Sequence, residues 1–288
     1  LTYFEFSTLA AFIIFEKAEV DIAILDHLSV IALLMVVLIG LPHGALDGAI
    51  AMHLGAGRNI SFVFQFLFLY LLCGFIVVVL WYNFPPISLV VFLIISMIHF
   101  GWGDANSKIK LVSLLQIICH GGIAVFGIVY FHIDEVIPLF DMLTQRNSNF
   151  PIQLSIYIFY AVSILTILYV YLIYSMRDLR LRLLELAVVW AIVIFLPPLF
   201  GFAVYFCFIH TTRHIRNIWM EIKTEMSLKA LITQASILTI ASWGMGITAF
   251  YIFDSGDLDT NIIRIIFIGL AALTVPHMIL VDGFFRNK

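Results

Sequence analysis

The residues of this chain best equipped for chemistry are its histidines. Five of the nine, His43, His99, His210, His214 and His277, stand inside long apolar stretches. A buried imidazole without partners costs a few kcal/mol per unsatisfied polar group, so five of them call for a common occupant. A transition metal is the most economical one. His210-Thr-Thr-Arg-His214 is an i,i+4 pair. On a helix that spacing puts both rings on one face, about 6 Å apart, where both can bind one ion. The plainer reading is two membrane-edge histidines hydrogen-bonded to neighbours, with Arg213 and Arg216 close by.

Three further motifs pair a histidine with a carboxylate. Leu41-Pro-His43-Gly-Ala-Leu-Asp47 places Asp47 one helical turn after His43. There its carboxylate can accept the proton on the far ring nitrogen and fix the tautomer of a metal-binding imidazole. His99-Phe-Gly-Trp-Gly-Asp104 and His277-Met-Ile-Leu-Val-Asp282 repeat the pattern at i+5, a poorer alignment. Asp104 and Asp282 are therefore supporting groups, additional ligands, or carboxylates solvated at a helix end. His277 is either a fifth ligand or a hydrogen-bonded outer group. Gly40, Gly44 and Gly48 form a small-residue stripe that permits close helix approach.

The elements that must position these residues are membrane spans. Of 288 residues 63% are hydrophobic and 11% charged, with three isolated cysteines, Cys73, Cys119 and Cys207, that read as small core hydrophobes. Mean hydropathy is +1.10. Soluble domains carry roughly 25% charged residues, so this is an integral membrane protein with no room for a soluble domain. No basic cluster points to nucleic acid. Apolar segments cover about 28–52, 62–82, 86–103, 109–132, 152–176, 182–219, 229–253 and 261–283. The run 182–219 would be about 57 Å long as one helix, and Pro197-Pro198 divides it into 182–196 and 199–219.

With that division, 12 of the 15 Lys and Arg share one side, which the positive-inside rule assigns to the cytoplasm. Acidic loops at Glu16 to Asp26, Asp134/Glu135/Asp141 and Asp254/Asp257/Asp259 take the other side. The expected fold is an all-α polytopic integral membrane protein, one transmembrane domain over 1–288. It has about nine spans, or ten if residues 2–16 cross, enclosing a buried metal site. All five histidines then lie on outward-to-inward passes, within one or two turns of one plane in the cytoplasmic half. His27 and His132 lie at the outer edge, His53 at the inner edge, and His120 near mid-membrane. Trp81 and Tyr82 read as an outer aromatic belt.

Taken together, Pro-His43-Gly-Ala-Leu-Asp47, His99-Phe-Gly-Trp-Gly-Asp104, His210-Thr-Thr-Arg-His214 and Pro-His277-Met…Asp282 resemble the Brp/Blh family of membrane β-carotene dioxygenases. The resemblance runs from about residue 28 to the end of the chain. It implies iron, Fe(2+), held by His43, His99, His210 and His214, with His277 and the aspartates supporting. It implies β-carotene and O₂ as substrates, central cleavage to two molecules of retinal, and a rhodopsin-type protein as recipient of that product. Imidazole does not itself choose iron over zinc or copper, so the metal's identity rests on the resemblance.

Three other readings compete. A haem-binding cytochrome uses opposed histidines on different helices, which fits a one-helix i,i+4 pair less well. A histidine-box lipid desaturase or hydroxylase needs about eight histidine ligands where five lie at this depth. A metal-ion transporter needs ionisable groups through the whole bilayer, and the outer half is nearly free of them.

Overall fold

A computed structural model describes residues 27–53, 60–104, 109–174, 176, 180–253 and 256–286, with the side chains of 60, 104 and 282–286 excepted. The N-terminal segment, with the tenth crossing of residues 2–16, lies outside the described residues, as do the side chains of Asp104 and Asp282. No strand occurs among the described residues. Among the described residues seven helices are long and apolar enough to cross a membrane: His27–His53, Ser61–Asn83, Pro85–Gly103, Lys110–Phe131, Asn149–Tyr174, Leu228–Ile252 and Leu258–Val281. Each overlaps an apolar segment expected from the sequence.

We number the helices α1 (His27–His53), α2 (Ile60–Asn83), α3 (Pro85–Asp104), α4 (Lys110–Phe131), α5 (Ile133–Thr144) and α6 (Asn149–Tyr174). They continue with α7 (Arg180–Phe195), α8 (Pro198–Val204), α9 (Thr211–Ile222), α10 (Leu228–Ile252) and α11 (Leu258–Arg286). The proline pair acts as expected: α7 stops at Phe195, and Pro198 opens α8 after an extended Pro197. A ring at the first helical position costs no hydrogen bond, because that N–H has no intrahelical acceptor.

The chain divides into two compact units, residues 1–82 with 211–288, and residues 83–210. In the second unit α3 packs on α4 and α4 on α6. Two glycines set the α3–α4 approach. A Cβ on Gly101 would fall 2.0 Å from the carbonyl oxygen of Ile117, and one on Gly121 would fall 1.9 Å from that of Met97. Backbone cannot yield as a flexible side chain can, so only glycine fits either position.

In the first unit α1 packs against α10 and α11, and α9 lies against α1. A core of Leu46, Ala49, Ile50, Ile218, Ile222 and Leu231 fills the space between them. Helix α9 buries Thr211, His214, Ile218 and Ile222, one stripe at helical period, while Arg216 and Asn217 are exposed. The glycine stripe of α1 serves packing only in part. A Cβ on Gly48 would meet Leu238 of α10 at 2.7 Å, whereas one on Gly44 would meet nothing within 4 Å. Helix α2 turns Phe64, Phe68, Leu69 and Phe75 outward, as a helix bathed in acyl chains must.

Two expectations are corrected. The acidic stretch from Asp134 to Asp141 is a helix, α5, that buries Val136, Phe140 and Leu143 along one face. Its charges sit where a helix tolerates them, with Asp134 and Glu135 in the first turn beside the positive dipole end. Trp81 is no belt residue. It is 2% exposed, whereas its neighbour Tyr82 is 75% exposed, because consecutive residues on a helix point about 100° apart.

Candidate metal centre

The first unit gathers three of the five histidines. Helix α1 does not run straight through His43. After a regular start it widens into a π-helical turn at Val36–Gly40, where the Leu41 N–H reaches back five residues to the Val36 carbonyl. Pro42 has no N–H to give, which removes one regular bond at this point. The helix opens again at Ala45 and Leu46, whose N–H groups bond to the carbonyls of Pro42 (3.2 Å) and His43 (3.3 Å), and restarts at Asp47. Such widened turns concentrate at functional sites.

This irregularity redirects the carboxylate. Nδ1 of His43 donates to the carbonyl of Gly40, an acceptor that fixes the proton on Nδ1 and leaves Nε2 with the lone pair. Asp47, expected to serve His43, serves another ring. Its Oδ1 accepts from Nδ1 of His277 at 2.6 Å, and its Oδ2 accepts from the hydroxyl of Tyr70 at 2.8 Å. Two extra backbone distortions between residues 36 and 46 break the i,i+4 register on which the sequence expectation relied. Tyr70 also reaches the carbonyl of Leu273 on α11 at 3.4 Å. Nothing in the sequence distinguished Tyr70 from the ten other tyrosines.

His43, His214 and His277 form a triangle. Ring centroids are 5.4 Å apart for His43 and His214, 5.3 Å for His43 and His277, and 4.9 Å for His214 and His277. All three rings are buried, as is Asp47. With metal–nitrogen bonds of 2.0–2.1 Å, rings sharing one ion have centroids about 4.6 Å apart at right angles and about 5.3 Å apart tetrahedrally. The observed edges are of that size, and ring nitrogens of His43 and His277 lie within 4.8 Å of each other, with a carboxylate behind His277.

The second unit holds the other two. His99 lies near the end of α3, and His210 closes a second π-helical turn, Tyr205–His210. Their centroids are 4.7 Å apart, within the range for ligands of one ion. His210 lies on an aromatic bed: Phe206 stacks on it at 6.0 Å and Phe100 is tilted against it at 4.8 Å. The backbone is helical throughout 198–222, so His210 and His214 keep the four-residue spacing expected of them.

Three of the remaining histidines have other neighbours. His53 meets Glu225 at 2.6 Å. His132 donates toward the Val193 carbonyl at 3.1 Å and lies 3.4 Å from Glu135. His120 is fully buried beside Tyr169, with ring centroids 5.8 Å apart. Cys119 and Cys207 are buried, as small core hydrophobes would be.

No solved structure matches this chain. A protein of uncultured marine bacterium 66A03, described as beta-carotene 15,15'-dioxygenase, is 38% identical over 261 residues, which is 88% of this chain and 93% of the relative. The family profile described as Beta-carotene 15,15'-dioxygenase matches residues 34–285, a stretch that includes every histidine of both clusters. With the motif order, the membrane helices and these two matches in agreement, the chain belongs to the beta-carotene 15,15'-dioxygenase family.

Proposed function

We propose that this protein cleaves β-carotene at its central 15,15′ double bond with O₂, releasing two molecules of retinal. Family membership supports the substrate and the bond, through the name of the relative and of the family. The reaction balances without an added reductant: one C=C is broken, two C=O bonds form, and the two oxygen atoms equal one O₂.

The proposed cofactor is Fe(2+), with His43, His99, His210 and His214 as ligands. The observation that carries this is the spacing of buried imidazoles within each unit, 4.7–5.4 Å between centroids. When bound, iron would supply the redox chemistry that lets triplet O₂ react with a polyene. The protein's own share is positional. The bond from Nδ1 of His43 to Gly40 fixes which nitrogen faces outward. Four neutral imidazoles leave the cation's charge uncompensated, and the buried Asp47 carboxylate, hydrogen-bonded to the neighbouring His277, offsets part of it. The aromatic bed of Phe100 and Phe206 holds His210 in one orientation and excludes water around it. No acid or base is needed for the bond changes, and none is assigned.

The setting proposed is the cytoplasmic membrane, crossed nine or ten times, with the histidines in the inner half. A substrate as apolar as lipid then reaches the protein laterally through the bilayer, and retinal leaves the same way, toward a rhodopsin-type acceptor. The deciding experiment is expression in cells that accumulate β-carotene. Loss of orange colour with a matching yield of retinal is expected. Intact carotene beside folded, membrane-inserted protein would overturn the reading, and longer apocarotenals in place of retinal would overturn the central position of the cut.

A further inference from the structure

The metal proposal uses His43 and His214 of the first unit and leaves the third corner of the triangle unassigned. That corner is braced from two other helices. Nδ1 of His277 lies 2.6 Å from Oδ1 of Asp47, and an ionised carboxylate only accepts, so the ring proton is on Nδ1. Nε2 is then the nitrogen that carries the lone pair. The second oxygen of Asp47 accepts the Tyr70 hydroxyl at 2.8 Å, and that hydroxyl is also 3.4 Å from the Leu273 carbonyl, one turn before His277 on the same helix. Three elements, α1, α2 and α11, thus fix one imidazole. His277 and Asp47 are each 3% exposed at the side chain.

Packing alone does not account for such a chain. A buried carboxylate is costly in an apolar setting, and apolar side chains of similar volume would hold three helices together as well. A carboxylate behind an imidazole is the usual brace of a metal-binding histidine, because it sets the tautomer and raises the basicity of the other nitrogen. The centroids of His277 lie 5.3 Å from His43 and 4.9 Å from His214, the separations expected of ligands to one ion. We infer that His277 is itself a metal ligand, and that Asp47 and Tyr70 are positioning residues acting through it. This inference rests on the reading that the buried histidines hold a metal.

The test measures metal retention rather than turnover. Purified protein loaded with Fe(2+) is mixed with a coloured ferrous chelator, and the rate of iron release is followed. Carboxylates behind ligating histidines are worth about 10–100-fold in affinity. Asp47→Asn should release iron tens of times faster than the parent protein, and Tyr70→Phe, which keeps the ring and deletes one donor, about ten times faster. His277→Ala should lose iron fastest, with added imidazole restoring retention and with altered visible bands in the cobalt-loaded protein. If His277→Ala does not accumulate, Tyr70→Phe decides, provided its metal-free thermal unfolding matches the parent. Parental release rates in Tyr70→Phe and Asp47→Asn, with rapid loss in His210→Ala, would overturn the inference and leave the metal reading standing. Failure of the parent protein to retain iron, cobalt or zinc would overturn both.

Discussion

At the scale of single residues, the informative signal is chemical incongruity. Histidine is expensive in hydrocarbon, so five of them in apolar runs mark a candidate site before any helix is placed. What was not legible is who braces whom. The expectation that Asp47 serves His43 assumes one regular helix from 43 to 47, and the turn at Ala45–Leu46 breaks that helix. Tyr70 was invisible for the opposite reason, since tyrosine in an apolar helix is ordinary and its significance comes only from the carboxylate it meets. Two predictions belong here. His210→Ala and His214→Ala should each abolish bound iron and retinal formation while the protein stays in the membrane, whereas His53→Ala, which loses a contact with Glu225, should keep both. Iron content by elemental analysis and retinal by chromatography measure these outcomes, and turnover at the parent rate in His210→Ala would remove it from the ligand set. Removing metal with a chelator should abolish activity. Fe(2+) should restore it and Zn(2+) should not, since imidazoles bind both ions but zinc has no redox chemistry to offer.

At the scale of elements, hydropathy located seven spans to within a few residues, because bilayer thickness fixes helix length. It could not foresee the widened turns at Val36–Gly40, Ile123–Gly127 and Tyr205–His210, which alter a helix's phase without altering its composition. Nor could it foresee α5, whose acidic residues read as a loop although its apolar residues share one face. The glycines were legible only as a class: the same residue type holds helices together at Gly101 and Gly121 and does nothing comparable at Gly44. Gly121→Ala should therefore be costly. Its Cβ would sit 1.9 Å from a backbone oxygen of α3, and overpacking of a tight interface typically costs 1–3 kcal/mol. Gly244→Ala has nothing within 4 Å and removes a flexible residue from the interior of α10, so it should be neutral or stabilising by about 0.5–1 kcal/mol. Thermal unfolding of the two variants in detergent checks the contrast, and equal melting temperatures would show that α3 and α4 do not need their close approach.

At the scale of the whole molecule, the path of the chain between α6 and α10 sets the number of spans. Helix α7 has 16 residues, about 24 Å of rise, less than a hydrocarbon core of about 30 Å. Length alone would leave α7 short of the far surface. Charge excludes a single one-way crossing, because Arg180 and Arg182 at its start and Arg213, Arg216 and Lys223 after it fall on one side only if the chain turns back. Arg182 is also paired with Glu185 at 2.7 Å, so the first turn of α7 can lie at the interface while the apolar remainder inserts. A local thinning of the bilayer by a few ångströms closes the gap at modest cost. Phe195, 78% exposed at the end of α7, is the position where a full crossing and a re-entrant turn diverge. In a background without native cysteines, Phe195→Cys should react with a membrane-impermeant thiol reagent added to the outside of intact cells, as should Asn147→Cys in the loop before α6, while Lys223→Cys should react only in inverted vesicles. Labelling of Asn147→Cys but not Phe195→Cys would make residues 180–222 a re-entrant pair and reduce the spans among the described residues to seven, with the sidedness of every other loop unchanged.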